Sequence, residues 1–279
     1  MTKPAKRSFS ITTLLALSLV SCSNSSGSMT PPTTPPGDTD GTGGGPSSAP
    51  NTVSGQVLNS QGKPIAGALI WVRPAVTTGL VTVHTNAQGQ YQSPTLVNVP
   101  YRTYGYVQTE YQGQPFCLRL AANQLNEYDA FSPNPSGTVV RNFKLQLSGK
   151  IPDATIANTY FGAEVRLMHH TWRNDQQLAA SDSAVEVTLV PDGALIDGSV
   201  GQTLVRSAKV GENFLYDIPI GHYNVTATEV HRDGTRTPLV LGEYQGPPAS
   251  QTTLDFSASG GCGGSTSNVS RAFLYVARP

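Results

Sequence analysis

The chain has 279 residues, with 18 lysines and arginines against 18 aspartates and glutamates, and only 13% of the residues are charged. This balance argues against a nucleic-acid partner and against electrostatic docking to anionic lipid. The length beyond the first fifty residues is enough for one large or two ordinary domains with hydrophobic cores.

The N-terminal segment has the layout of an export signal. Basic residues at 3–7 precede an apolar stretch at 11–20, which is too short to span a bilayer. The stretch ends in Leu19-Val20-Ser21-Cys22, which resembles the lipobox of bacterial lipoproteins. The resemblance implies that residues 1–21 are a signal peptide and that Cys22 is lipidated. The alternative is an ordinary signal peptide with an incidental cysteine.

The expected location is the cell envelope, with acyl chains on Cys22 as the membrane anchor. Each buried methylene of such a chain adds about 0.8 kcal/mol of membrane affinity. Ser23 follows the cysteine, and the lipoprotein resemblance then implies the outer membrane if the cell is Gram-negative. Residues 22–51 are mostly Ser, Thr, Gly and Pro. A segment with so little to bury is predicted to be a disordered tether.

From residue 52 onward the sequence has the pattern of an all-β protein. Short alternating runs are separated by turns rich in Gly, Pro and Asn. Only 121–128 suggests a short helical turn. The predicted strands are 53–58, 68–73, 81–85, 91–93, 103–111, 116–120 and 139–147, then 160–168, 184–190, 203–210, 238–244, 252–258 and 269–277.

Three segments resemble the opening of the carboxypeptidase regulatory-like domain family. They are VSGQV at 53–57, GKPIAGALI at 62–70 and TNAQGQY at 85–91. The resemblance implies a transthyretin-like β-sandwich over residues 52–149. Asn86 replaces the family's usual aspartate, and Arg102 stands where a later signature has glycine, so that turn is expected to differ in geometry.

The second half of the chain echoes the first. Ile218–Glu229 matches Val99–Glu110 at a constant offset and retains the glycine of the signature. Residues 156–279 are therefore predicted to form a second, related sandwich. The alignment also places Tyr104 and Tyr106 on a core face. The predicted fold is two tandem transthyretin-like or immunoglobulin-like β-sandwich modules after a disordered stalk.

Two cysteines remain once Cys22 is acylated. Export places Cys117 and Cys262 where disulfides persist, and we predict that they pair across the two modules. The alternative is a buried thiol at position 117 and a free thiol in the glycine-rich loop around position 262. Two lone, distant cysteines do not suggest a metal site.

The sequence contains no recognisable catalytic motif. It lacks a nucleophile elbow and a His-Glu-x-x-His helix, and its five histidines do not have zinc-site spacing. The carboxylates are sparse, and no pair suggests an acid/base couple. We therefore predict a protein that is not an enzyme and that needs neither a metal nor a cofactor.

Large apolar side chains on an outward strand face are the candidate binding or interface residues. If even-numbered residues of the strand at 68–73 face the core, then Leu69 and Trp71 face outward. The favoured interpretation is that the second module or a loop covers them; the alternative is an exposed platform. Trp172 is the other candidate, because sugar sites favour exposed, coplanar aromatic rings.

Three functions follow from these observations. The leading one is a non-enzymatic cell-surface lipoprotein that acts as an interaction or envelope-structural module. The second is a carbohydrate-binding accessory lipoprotein, and the third is an enzyme. The predicted partners are the membrane, through the lipid anchor, and an envelope protein or a glycan.

Overall fold

The protein is all-β, which confirms the predicted fold class. A computed structural model describes residues 49–169, 183–209, 211–243, 246–258, 261–262 and 270–279, all within one compact unit. Cys22, Trp172 and most of the predicted tether lie outside these ranges. In the described part of the chain, no helix is long and apolar enough to cross a membrane.

Eight strands come first in the chain. They are β1 Thr52–Leu58, β2 Leu69–Pro74, β3 Val81–His84, β4 Gln90–Gln92, β5 Tyr101–Tyr111, β6 Gln114–Ala122, β7 Thr138–Val140 and β8 Phe143–Leu145. A single 3-10 turn, Leu125–Tyr128, lies within the segment where a helical turn was predicted.

These eight strands form one sheet, here called the N-terminal sheet. Its order is β3-β2-β5-β6-β8-β1-β4, with β7 also paired to β1. Strand β2 shows the alternation that builds the core, because Ile70 and Val72 are fully buried. The sheet curls so that β5 packs against β8. A Cβ added at Gly105 would lie 3.1 Å from the ring of Phe143, so the small size of glycine suits this close approach.

Nine strands follow and form two further sheets. They are β9 Ala163–His169, β10 Ala184–Pro191, β11 Leu204–Lys209, β12 Phe214–Ile218, β13 Tyr223–Val230, β14 Arg236–Pro238, β15 Val240–Gly242, β16 Thr252–Leu254 and β17 Arg271–Ala277. One sheet has the order β11-β10-β13-β14, with β16 beside β13, and the other has the order β12-β9-β17-β15.

The two sheets bury their facing sides against each other, and we call them the C-terminal sandwich. Val187 and Val225 from one sheet and Val165 from the other are fully buried. A charge also lies on the inner side of β13. Glu229 is 0% exposed, and its carboxylate accepts hydrogen bonds of 2.8 and 3.1 Å from Arg278. This pairing offsets the desolvation of a buried carboxylate.

Strand β12 is a part of the fold that the sequence analysis missed. It is only five residues long, and its pairing with β9 shifts register between Leu215 and Ile218. Asp217 lies at this irregularity with φ at 61°, an unusual backbone conformation for a residue other than glycine. Its carboxylate accepts a 2.7 Å hydrogen bond from the backbone N–H of Gly149, which ties the connecting segment to β12.

The predicted core face of Tyr104 and Tyr106 is wrong, although Tyr106 is itself buried, with 7% of its surface exposed. Gly105 faces the core, so both tyrosines point to the outer side of the N-terminal sheet. In the C-terminal sandwich, by contrast, the matched Tyr223 is fully buried in the core. The offset alignment therefore superposes opposite faces of β5 and β13.

The physical reason is the position at which each strand begins. Strand β5 starts at Tyr101, so Arg102 already lies within it, whereas β13 starts only after Gly221. A Cβ on Gly221 would lie 2.7 Å from Cδ2 of Leu195, so a larger residue in the second turn would require this side chain to shift. The two turns thus differ, as the arginine at position 102 led us to expect.

The hairpin that joins β5 to β6 links the N-terminal sheet to the C-terminal sandwich. Its two loop residues, Gln112 and Gly113, have φ values of 49° and 72°, and two positive values are typical of a type I′ turn. Tyr111 Oη donates a 2.9 Å hydrogen bond to the carbonyl of Ala194. On the other strand, the side-chain oxygen of Gln114 accepts a 3.1 Å hydrogen bond from the backbone N–H of Ala258, which follows β16 in the C-terminal half of the chain.

A disulfide completes this joint. Cys117, on the outer side of β6, is bonded to Cys262, with the two Cα atoms 5.3 Å apart. The pairing agrees with the prediction from the sequence. Ser60 adds a hydrogen bond to the carboxylate of Asp197 at a separate point. We call the hairpin and its disulfide the hairpin joint.

Tyr223 supports the start of β13 from within the core. Its hydroxyl donates a 2.7 Å hydrogen bond to the carbonyl of Pro219, and its ring packs edge-on against Phe256. Burial, reinforced by the nearby Tyr111, raises the pKa of Tyr223 to about 12. The neutral phenol is therefore the form that stabilises the fold.

We expect Tyr223→Phe to lower stability by about 1 kcal/mol at pH 8, because one hydrogen bond is lost. The difference should shrink as the pH rises from about 10 to 12. In that window the unfolded wild-type tyrosine ionises while the folded one stays neutral, so wild-type stability falls and the phenylalanine variant escapes this loss. Urea unfolding at pH 8 and pH 11 measures both values. A pH-independent difference would contradict this role.

Candidate functional site

The predicted outward orientation of Leu69 and Trp71 agrees with the structure. Both side chains are half-buried, and in the β2–β5 register Trp71 lies opposite Tyr104 and Leu69 opposite Tyr106. The rings of Trp71 and Tyr106 meet edge-to-face at 5.4 Å. The outer side of the N-terminal sheet therefore carries a small aromatic cluster.

An arginine from β6 covers part of this cluster. The guanidinium of Arg119 lies 4.7 Å from the centre of the Tyr104 ring and 5.6 Å from that of Tyr106. It also forms a 3.0 Å ion pair with Asp153, whose side chain is only 6% exposed. Asp153 belongs to the segment that connects the N-terminal sheet to the C-terminal sandwich, so that segment contributes to the cover.

The predicted cover of Trp71 by the second module remains a prediction. Among the described residues, no hydrogen bond, ion pair or ring contact joins Leu69 or Trp71 to β9–β17. Cys117 and Cys262 are brought together in the hairpin joint. The remaining predicted site residues, Cys22 and Trp172, lie outside the described residues.

A second aromatic surface lies on the outer side of the sheet β12-β9-β17. We call it the aromatic–arginine face; its members are Tyr160, Arg166, Phe214, Tyr216, Arg271 and Phe273. Alternation puts these side chains outward, because Leu215 on β12 and Ala272 and Leu274 on β17 are buried. Phe273 is 51% exposed, a large fraction for a phenylalanine on a sheet.

Three rings of this face form a row. The ring centres of Tyr160 and Tyr216 are 5.9 Å apart at an interplanar angle of 30°. Those of Tyr216 and Phe214 are 5.8 Å apart at 19°. The near-parallel rings bring the segment before β9 into contact with β12.

Arginines border this row of rings. The guanidinium carbons of Arg166 and Arg271 lie 5.7 and 5.9 Å from the centre of the Phe214 ring, within reach of a cation–π interaction. Arg271 also pairs with Glu164 on the neighbouring strand. Arg206, from the edge of the other sheet, donates a 3.1 Å hydrogen bond to the carbonyl of Asp217. Of these three arginines, Arg271 alone forms an ion pair with a carboxylate among the described residues.

Sequence reasoning missed this face, although part of the signal was present. The strand at 269–277 was predicted, and its alternation already implies that Arg271 and Phe273 share a face. The neighbouring Phe214 and Tyr216 could not be added, because β12 was not predicted and its pairing with β9 is a long-range contact.

Polar clusters elsewhere in the described residues give weaker indications of a binding site. His222 Nδ1 lies 2.6 Å from Asp255 Oδ1 and its other ring nitrogen lies 4.0 Å from Asp192, in an exposed position. Within the described ranges, no group of three or more His, Cys, Asp and Glu residues is arranged to hold a metal ion.

We expect the Trp71–Tyr106 contact to be structural. A double-mutant cycle with Trp71→Ala and Tyr106→Leu should give a coupling energy of about 0.5–1.5 kcal/mol, because an edge-to-face pair adds to plain area burial. Thermal or urea unfolding measures it. Additive effects on stability, combined with a loss of ligand binding in Trp71→Ala alone, would instead make Trp71 a binding residue.

Comparisons with known proteins give structural likeness only. No family model matches the chain, and no curated protein matches it. The chain is similar to the Bacillus anthracis TIE protein, at 10% identity and a TM-score of 0.25 over 81% of this chain and 43% of that one. It is also similar to a Streptococcal ancillary pilin, at 12% identity and a TM-score of 0.26 over 82% of this chain and 62% of the pilin.

A third similar structure is a candidate carbohydrate-binding protein from Bacteroides uniformis ATCC 8492. Its identity is 14% and its TM-score 0.23, over 74% of this chain and 100% of that one. The chain spans less than two thirds of the first two proteins. Such low identities and TM-scores carry no argument about ligand or partner. The resemblance to the carboxypeptidase regulatory-like family rests on the three sequence segments alone.

Proposed function

We propose that the chain is a non-enzymatic binding module of the bacterial cell envelope that contacts its partner through the aromatic–arginine face. The observation that carries the proposal is the composition of this face. Exposed aromatic and arginine side chains, with few other charges, are typical of binding surfaces and their energetic hot spots. An exposed phenylalanine such as Phe273 forfeits stabilisation unless a partner covers it.

The rigidity of the face also supports a binding role. Its side chains stand on paired strands, and β9 and β17 are joined by six consecutive register pairs. Arg166 and Arg271 are held against Phe214 before any partner arrives. A surface that is already ordered loses little conformational entropy on binding.

The anchor in this proposal is the acylated Cys22. The lipobox-like segment supports it, and so does the composition of residues 22–51, which suits a flexible spacer. A chain of that length has an end-to-end distance of roughly 30 Å. The binding face would then stand above the membrane and still remain close to envelope components.

A carbohydrate-binding accessory lipoprotein is the second candidate. The near-parallel row formed by Tyr160, Tyr216 and Phe214 favours it, because sugar rings present apolar C–H faces to aromatic side chains. The two candidates differ in the partner and share the same face and anchor.

We expect Cys22→Ala to abolish partition of the full-length protein into a detergent phase and to abolish labelling with radioactive palmitate. The matched control is the double variant Cys117→Ala and Cys262→Ala, which removes two cysteines but should keep the anchor. If Cys22→Ala partitions like the wild type, the anchor is something else.

The binding role is tested by co-sedimentation of the Cys22→Ala protein with purified peptidoglycan sacculi and with outer-membrane vesicles. We expect retention by one of these fractions and its loss on Phe273→Ser. Retention that Phe273→Ser leaves unchanged, or no retention by either fraction, would contradict a binding role for this face.

A further inference from the structure

We infer that the aromatic–arginine face binds an acidic polysaccharide, a glycan chain whose sugars carry carboxylates. The inference rests on the proposed function and names the ligand class of the same surface. Its basis is the combination of positive charge, a row of rings and limited width.

The charge on this face favours an anionic ligand. Arg166 and Arg271 on the face, together with Arg206 beside it, outnumber the carboxylates of Glu164 and Asp217, in a chain that is neutral overall. Among the described residues, Arg166 has no ion pair with a carboxylate, so its charge is available to a ligand.

The planar guanidinium group specifies the kind of anion. It matches a carboxylate with two parallel hydrogen bonds and stacks on aromatic rings at the same time. Arg166 and Arg271 already lie against Phe214, so their forks are partly oriented. A ligand carboxylate at this position would meet the guanidinium of Arg166 beside an apolar ring, next to the Arg271–Glu164 ion pair.

The rings favour a sugar chain as the carrier of these carboxylates. Successive ring centres in the row are 5.9 and 5.8 Å apart, so the row offers repeated apolar contacts along one direction. A glycan also repeats one ring after another. A chain of acidic sugars therefore offers both groups that this face can bind. Its apolar ring faces suit the aromatic side chains, and its regularly spaced carboxylates suit the arginines.

The size of the face argues against a stable protein partner. Three neighbouring strands about 4.8 Å apart, each up to seven residues long, give a surface of roughly 15 by 20 Å. That is roughly 300 Å², well below the roughly 800 Å² that each partner contributes to a standard protein–protein interface. The face suits a ligand that is one chain wide.

The test uses the full-length protein in detergent micelles and four defined probes. Polygalacturonate and alginate carry carboxylates on sugar rings. Methyl-esterified polygalacturonate keeps the rings without the charge, and poly-L-glutamate keeps the charge without the rings. Calorimetric titration should show binding to at least one of the first two and binding at least about tenfold weaker to the last two.

Variants of the face then locate the site. We expect Phe273→Ser and Arg166→Gln each to weaken binding to the acidic polysaccharide by about tenfold or more. The matched controls are Val190→Ser and Arg232→Gln. Val190 is an exposed apolar residue on β10, and Arg232 is an exposed arginine that is not part of the face. Both controls should bind like the wild type, and unfolding curves should show that all four variants are folded.

Several outcomes would overturn the inference. Equal binding of the methyl ester would show that the carboxylates do not matter. Equal binding of poly-L-glutamate would point to an acidic protein partner. Failure to bind either acidic polysaccharide, while Phe273→Ser still abolishes envelope co-sedimentation, would refute the ligand class and leave the proposed function standing. Envelope co-sedimentation that Phe273→Ser leaves unchanged would refute the proposed function itself.

Discussion

The hairpin joint is the interaction on which the rest of the structure depends. Strands β1–β8 and β9–β17 each pair only among themselves, so the backbone ladders do not hold the two parts together. The joint supplies this link through the tip of the β5–β6 hairpin and through the Cys117–Cys262 disulfide. The bond closes a loop with a sequence separation of 145 residues. In the chain-entropy model such a loop is worth nominally about 5 kcal/mol.

The connecting segment also bears on the aromatic–arginine face. Asp217, the penultimate residue of the ring-bearing strand β12, has a positive φ and accepts a hydrogen bond from Gly149, in the segment that follows the N-terminal sheet. The position of β12, and with it Phe214 and Tyr216, is therefore coupled to how the two parts are joined.

The sequence was informative where local rules decide the structure. Period-two alternation was sufficient to orient Ile70, Val72 and Trp71, and export with two remaining cysteines favoured the Cys117–Cys262 pair over two free thiols. It was not informative where distant strands meet. The short, irregular strand β12 left no clear pattern, so Phe214 and Tyr216 went unnoticed. The alignment of the two halves failed by one residue in register, which in a strand exchanges the inner and outer faces.

The central claim is that the hairpin joint makes the two β-structures unfold as one body. Differential scanning calorimetry of the oxidised and the reduced protein tests it most directly. With the disulfide intact we expect a single transition whose calorimetric and van't Hoff enthalpies agree. After reduction we expect a lower midpoint and separation into two transitions. Two independent transitions in the oxidised protein, or a profile that reduction leaves unchanged, would contradict the account.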